Sequence, residues 1–233
     1  MQPLQLSFIA FTFLAPPLLW LLSRRVQSPR LARGISRSLA ALLITAYVGA
    51  VCIRASTSGL SFADSLPMQL CDWASAITVL ALLLRSPLAF ELAYFWGLAG
   101  TLQALFTPAI EVQMSLAVIC FFFIHSTIPA SVLWLMFEYG ERPRRGAFLR
   151  IFLWSEIYLA TTLAVNALTG GNYGFLDHRP ATRSLLDSFS DAHWLYVAEM
   201  NLTGLLAFAL LALPWWFYKK TTSGKTSGSE LGV

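Results

Sequence analysis

A thiol and an imidazole set in apolar sequence are the two side chains here whose types could do covalent chemistry. Cys71 lies in LPMQLCDW, residues 66–73, directly before Asp72, and His125 lies in FFFIHSTIP, residues 121–129. A cysteine beside a histidine is the minimum kit for acyl transfer. The thiol attacks an ester carbonyl, the imidazole takes its proton, and the acyl chain rests as a thioester. His125 is surrounded by residues that offer it no water, so its ring needs partners on another helix. Asp72 follows Cys71 by one position, about 100° around a helix, which suits it to orient a donor on a neighbouring helix rather than to touch the thiol. The structural alternative is a buried inert cysteine and a packed histidine.

Composition sets where such chemistry would occur. The 233 residues are 57% hydrophobic and 12% charged, with a mean hydropathy of +0.63. A soluble domain carries roughly 25% charged residues, and several apolar runs here exceed the ~18 residues that mark a membrane-spanning helix. The expectation is an all-α polytopic membrane protein. The net charge of +4 is therefore read loop by loop and not as a nucleic-acid signal. Cys52, Cys71 and Cys120 show no paired or metal-like spacing. They read as unrelated thiols, a Cys52–Cys71 bridge being the alternative, and neither a metal nor a cofactor is expected.

Seven spans are predicted, at about 5–22, 38–55, 67–84, 89–107, 115–137, 148–168 and 193–217. Of the 16 Lys and Arg residues, thirteen fall on one side of these spans. They are Arg24, Arg25, Arg30, Arg33 and Arg37, then Arg85, then Arg142, Arg144, Arg145 and Arg150, then Lys219, Lys220 and Lys225. Arg54, Arg179 and Arg183 fall on the other. The positive-inside rule then puts the N-terminus outside and the C-terminus in the cytoplasm. The apolar N-terminus has its arginines after the hydrophobic run and no small-x-small site, which suits a retained helix rather than a signal peptide. Residues 1–218 form the seven-helix transmembrane bundle, and the Ser/Thr/Gly-bearing 219–233 reads as a disordered cytoplasmic tail. The segment 169–192 carries Tyr173, Phe175, Leu176, Leu185, Leu186 and Phe189 among glycines, so it reads as a folded external cap.

Few polar residues interrupt the spans. At about 1.5 Å per residue, Cys71, Asp72, Gln103, Asn166, Glu199 and Asn201 fall near the outer ends of their helices, beneath Asn172 of the cap. Ionisable groups in lipid face the bundle interior, which predicts an outward-facing polar cavity. Glu156 sits deeper. Glu91, Arg54 and His193 read as side chains snorkelling to the interface; Asn166 and Asn201 also suit interhelical hydrogen bonds. Gly97 and Gly100 read as a close packing face, and Trp20, Trp73, Trp96, Trp194, Trp215 and Trp216 mostly as interfacial belt and packing. The same arithmetic leaves His125 about 8–10 Å deeper than Cys71.

The blocks LPMQLCD, FELAYFWGLAGTLQALFTP, FFFIH and GGNYGFLDHRPATRSLLD, spread between Leu66 and Pro214, resemble the YwaF family of bacterial integral membrane proteins. That family is similar to a eukaryotic transmembrane acyltransferase acting on ether phospholipids, and more distantly to multi-helix lipid-ester hydrolases that use threonine and histidine. The resemblance implies that Cys71 and His125, which occupy the matching motifs, are catalytic. Many members carry histidine two positions before the cysteine, where this chain has Gln69, and the SFSDAHWLYVAE that follows SLLD here replaces a proline- and glycine-bearing stretch.

The readings are thus a lipid acyltransferase or lipid esterase of the bacterial cell membrane, a small transporter or ligand-binding protein, and an assembly protein without chemistry. The first takes Cys71 as nucleophile and His125 as base, with Gln103, Asn166 or Glu199 as orienting groups. Its partners are membrane lipids. The second draws on Pro16, Pro17 and Pro129 as breaks in discontinuous helices.

Overall fold

The computed structural model describes residues 3–108, 110, 115–182 and 184–217. The expected tail at 219–233 and Arg183 lie outside the described residues. The elements are α1 (Pro3–Val26), α2 (Pro29–Thr57), α3 (Leu70–Leu84), α4 (Pro87–Phe95), a π-helical turn (Trp96–Thr101), α5 (Leu102–Phe106), α6 (Leu116–Tyr139), α7 (Ala147–Thr169) and α8 (His193–Phe217). Two 3₁₀ turns, Tyr173–Phe175 and Leu185–Ser188, lie between α7 and α8. Among the described residues there is no strand. Helices α1, α2, α6, α7 and α8 are each long and apolar enough to cross a membrane, whereas α3 has 15 residues.

Local chemistry sets the helix ends. Ser28 accepts a hydrogen bond from Leu31 N and Pro29 takes the first helical position of α2, an arrangement repeated by Ser86 and Pro87 in α4. Thus α2 starts well before the predicted 38, carrying its arginines on helical turns outside the apolar stretch. Ser115 starts α6 by accepting from Val118 N, and Gly140, at φ 68°, ends it. Helix α3 starts at Leu70 rather than 67, because Asp72 Oδ2 accepts from Gln69 N at 2.9 Å and so fixes the first turn there.

Helix α6 is the centre. It buries 67% of its most apolar stretch, against 22% for α1 and α2, as expected of a helix apolar all round. It packs against α1, α2, α3, α4, the π-turn and α5. Gly97 lets the π-turn approach α6, since a Cβ there would lie 2.8 Å from Ile128 Cγ2, and Gly100 does the same towards Leu70. The prolines do not break their helices: α1 continues through Pro16 and Pro17, and α6 through Pro129. Trp96 and Trp134 are fully buried, donating to Ser155 Oγ and Ser36 Oγ at 2.9 Å each. Of the two roles expected of the tryptophans, Trp96 takes packing in the core.

Glu91 corrects a second expectation. Instead of snorkelling, it is 0% exposed and receives Arg144 through Nε (2.8 Å), Nη2 (3.0 Å) and the backbone N (2.9 Å). Arg150 adds Nε at 3.0 Å and Nη2 at 2.8 Å. The carboxylate beside Arg144 holds that guanidinium further above its ordinary range. This cluster ties the start of α4 to the α6–α7 connection and the first turn of α7.

Segment 169–192 packs over the α3, α7 and α8 ends. Tyr173 is 1% exposed, donates to Phe62 O and accepts from Leu66 N. Gly171 sits so close to the preceding loop that a Cβ would lie 2.5 Å from the Ala63 carbonyl oxygen. Gly171→Ala is therefore expected to cost about 1–3 kcal/mol and to unseat this segment. Faster proteolysis between residues 170 and 192 checks it; an unchanged cleavage rate contradicts the packing.

Candidate functional site

Cys71 and His125 line one cavity of about 650 Å³, within the size range of small-molecule sites. Its floor and sides come from α2, α3, the π-turn, α5 and α6, and its upper wall from Gly174, Phe175, Pro180, Ser184 and Leu186 of the 169–192 segment. The two side chains share this cavity because α3 and α6 pack against one another, which a depth count along each helix by itself does not capture.

The protonation pattern of His125 follows from its partner. Nδ1 lies 2.8 Å from Phe121 O, and a carbonyl can only accept, so Nδ1 carries the proton and Nε2 keeps its lone pair. The Phe121 ring lies 4.0 Å from the imidazole, centroid to centroid, holding its plane. Nε2 is thus the basic atom of a histidine that is 6% exposed. Cys71, one residue into α3, places its Sγ 4.0 Å from Asp72 Oδ1. Asp72 serves its own helix end and this thiol rather than a donor on a neighbouring helix. Among the described residues no hydrogen bond joins Cys71 to His125.

Asp72 and Gln103 also line this cavity. Gln103 side-chain atoms have no partner among the described residues, so its amide is free to meet a carbonyl or an oxyanion. Gly100 and Thr101 of the π-turn and Gln103 and Ala104 of α5 line the same wall.

The other expected site residues are placed elsewhere. Asn166 receives Tyr173 N at 2.8 Å and donates to Tyr173 O at 3.0 Å. Asn172 closes its own loop, accepting from Asp177 N and His178 N and donating to His178 O. Glu199 accepts from Ser190 N at 2.6 Å, and Asn201 donates to Glu156 across α7 and α8 at 2.9 Å. His193 lies 3.1 Å from Leu176 O. These five side chains hold the 169–192 segment or the α7–α8 pair together. All three cysteines are free, so Cys52 and Cys71 are separate thiols. Among the described residues no group of three or more His, Cys, Asp or Glu is arranged to hold a metal.

Sequence reasoning passed over Tyr47, Arg54 and Gln69, which line the cavity as well. Arg54 reads as an interfacial cation, yet it donates to Asp64 O at 2.7 Å and stays at the rim. Gln69 accepts from Gly174 N at 2.9 Å, joining the α3 start to the upper wall. The signal was present in LPMQLCDW, where a polar residue precedes the helix by one position.

The chain is 27% identical over 122 residues to an uncharacterized protein of Treponema pallidum (strain Nichols), covering 52% of this chain and 51% of that relative. It therefore spans about half the length of that curated relative. No solved structure matches it. The TMEM164 family model matches residues 2–213, a range that holds every residue lining the cavity. The chain belongs to the TMEM164 family.

Proposed function

We propose that the protein is a membrane-embedded lipid acyltransferase or lipid esterase with Cys71 as nucleophile and His125 as base. The observation that carries this reading is the shared cavity, in which a thiol and an imidazole with a free Nε2 face the same space beside an unpartnered amide. The resemblance of LPMQLCD and FFFIH to YwaF-like proteins supports it.

The cycle balances within these groups. Cys71 Sγ forms a bond to the ester carbonyl carbon while its proton passes to His125 Nε2. The tetrahedral intermediate places its oxyanion within reach of a donor such as the Gln103 amide. Its collapse breaks the ester C–O bond, and His125 returns the proton to the departing lipid hydroxyl. Water or a second lipid hydroxyl then attacks the thioester, giving up its proton to Nε2; collapse breaks the C–S bond, and Nε2 returns the proton to Sγ as the acid or the new ester departs. This chemistry needs no metal or soluble cofactor.

The reading places the protein as a multi-pass component of the bacterial cell membrane, with α3 and the 87–106 rod completing seven crossings. The 169–192 cap lies outside and the arginine-rich end in the cytoplasm. The exposed apolar surface of α1, including Leu14 and Leu18, then faces lipid. A transporter or a simple lipid-binding protein is the second reading, favoured by the lack of a direct Cys71–His125 hydrogen bond. Protein reconstituted with a defined diacyl phospholipid and an isotope-labelled lysophospholipid separates the two. Labelled diacyl product or released fatty acid supports the enzyme; saturable lipid binding with no product supports the alternative.

A further inference from the structure

A second cavity, of about 610 Å³, opens at the other end of the bundle from Cys71. It lies between the α1–α2 turn, the last residues of α3 and the last turn of α6. Arg24, Arg33, Arg37 and Arg85 line it together with one carboxylate, Glu138. Arg85 is satisfied by Glu141 at 3.0 Å. The other three guanidinium groups have no ion pair among the described residues: Arg24 lies over the Trp20 ring, Arg33 donates to Pro29 O of its own helix, and Arg37 has no partner there.

This arrangement is unfavourable as it stands. Arg33 and Arg37 are four residues apart on one helix face and repel. Glu138 is half satisfied. Oε1 receives Ser23 Oγ at 2.8 Å, while Oε2 is buried without a partner among the described residues, which costs free energy until a donor arrives. A phosphate meets guanidinium groups in bidentate fashion, and an anionic one also offsets the repulsion between them. Leu83 borders the cavity at 49% exposed, and Leu84, Leu22 and Val26 are exposed nearby on α3 and α1, so an apolar path leads from the arginines along the bundle surface.

We infer that this cavity binds an anionic phosphate ester, the chemistry shared by an anionic glycerophospholipid headgroup and a soluble glycerol phosphate. The site is independent of the chemistry at Cys71 and is tested without measuring activity. The full chain is reconstituted in nanodiscs of phosphatidylcholine with or without phosphatidylglycerol, and lipid retained on extraction is counted by native mass spectrometry. A parallel arm adds glycerol 3-phosphate to protein in phosphatidylcholine alone. Wild type is expected to retain phosphatidylglycerol. Arg33→Gln with Arg37→Gln reduces retention about tenfold or more, the loss of roughly one charge-assisted contact. Arg25→Gln with Arg30→Gln removes the same charge from the same turn but not from the cavity wall, and changes retention by less than about twofold. Equal losses in both pairs would reduce the effect to diffuse surface attraction and overturn the site. Retention of neither ligand by wild type overturns it as well. Saturable binding of glycerol 3-phosphate with the same arginine dependence supports the site and makes its ligand soluble. The unfolding temperature in phosphatidylcholine alone shows whether the double variant is folded; if it is not, Arg37→Gln alone carries the comparison, with retention unchanged from wild type overturning the proposal.

Discussion

Cys71→Ala is expected to lower acyl transfer by on the order of 10³-fold or more, because removing a nucleophile removes the covalent route and not merely part of its assistance. His125→Ala is expected to lose about 10²–10⁴-fold, the range that a positioned general base supplies. The two losses should not add. Once the thiol is absent, Nε2 has no proton to take, and the double variant should be no slower than Cys71→Ala. Cys71 is only partly buried at the start of α3, so alanine fits there at about 1 kcal/mol or less. Equal unfolding temperatures for wild type and Cys71→Ala, beside the loss in turnover, assign the effect to chemistry. Undiminished turnover in Cys71→Ala would remove the thiol from the mechanism.

The largest effect on stability is expected at Glu91. Its carboxylate is wholly buried and holds two arginines that are 50% and 37% exposed. Removing one member of a buried ion cluster costs about 3–5 kcal/mol. Glu91→Ala should sit at the lower end, since both guanidinium groups keep access to water. For a chain of this size, about 3 kcal/mol corresponds to a fall in Tm on the order of 6–12 °C. Glu91→Gln keeps the shape and removes the charge, so a comparable fall identifies the ion cluster as the cause. Arg144→Gln leaves Arg150 in place and should cost less than Glu91→Ala. A fall of less than about 2 °C for Glu91→Ala would mean that the cluster does not hold α4 to the α6–α7 connection.

The apolar runs were legible and the helix ends less so. Ser-Pro at 28–29 is a local start signal that needs no tertiary partner, yet α2 was expected only from 38, because the apolar stretch begins that much later. Cys71 and His125 were legible as residue types, and their placement on one cavity was not. It depended on how α3 packs against α6, which a count of about 1.5 Å per residue along each helix does not contain. The fate of the remaining polar groups depended on distant backbone. Asn166 is consumed by both backbone groups of Tyr173, and Glu199 by Ser190 N. Counting polar residues at one depth cannot tell a side chain that caps a loop from one that faces a cavity. Glu91 failed for a related reason: its partners lie 53 and 59 residues on, and a lone carboxylate near a helix start reads as an interfacial charge. The π-turn in YFWGLAGT carried only the weak signal of two glycines, yet its Gly100 and Thr101 line the cavity.

The most direct measurement is the mass of the Cys71-containing peptide after purified protein in phospholipid has met a lipid-like acyl donor probe. An acyl adduct on Cys71 that neutral hydroxylamine removes, absent from Cys71→Ala and strongly reduced in His125→Ala, is the result that thioester chemistry predicts. Equal labelling of all three proteins would contradict it and leave the cavity as a binding site.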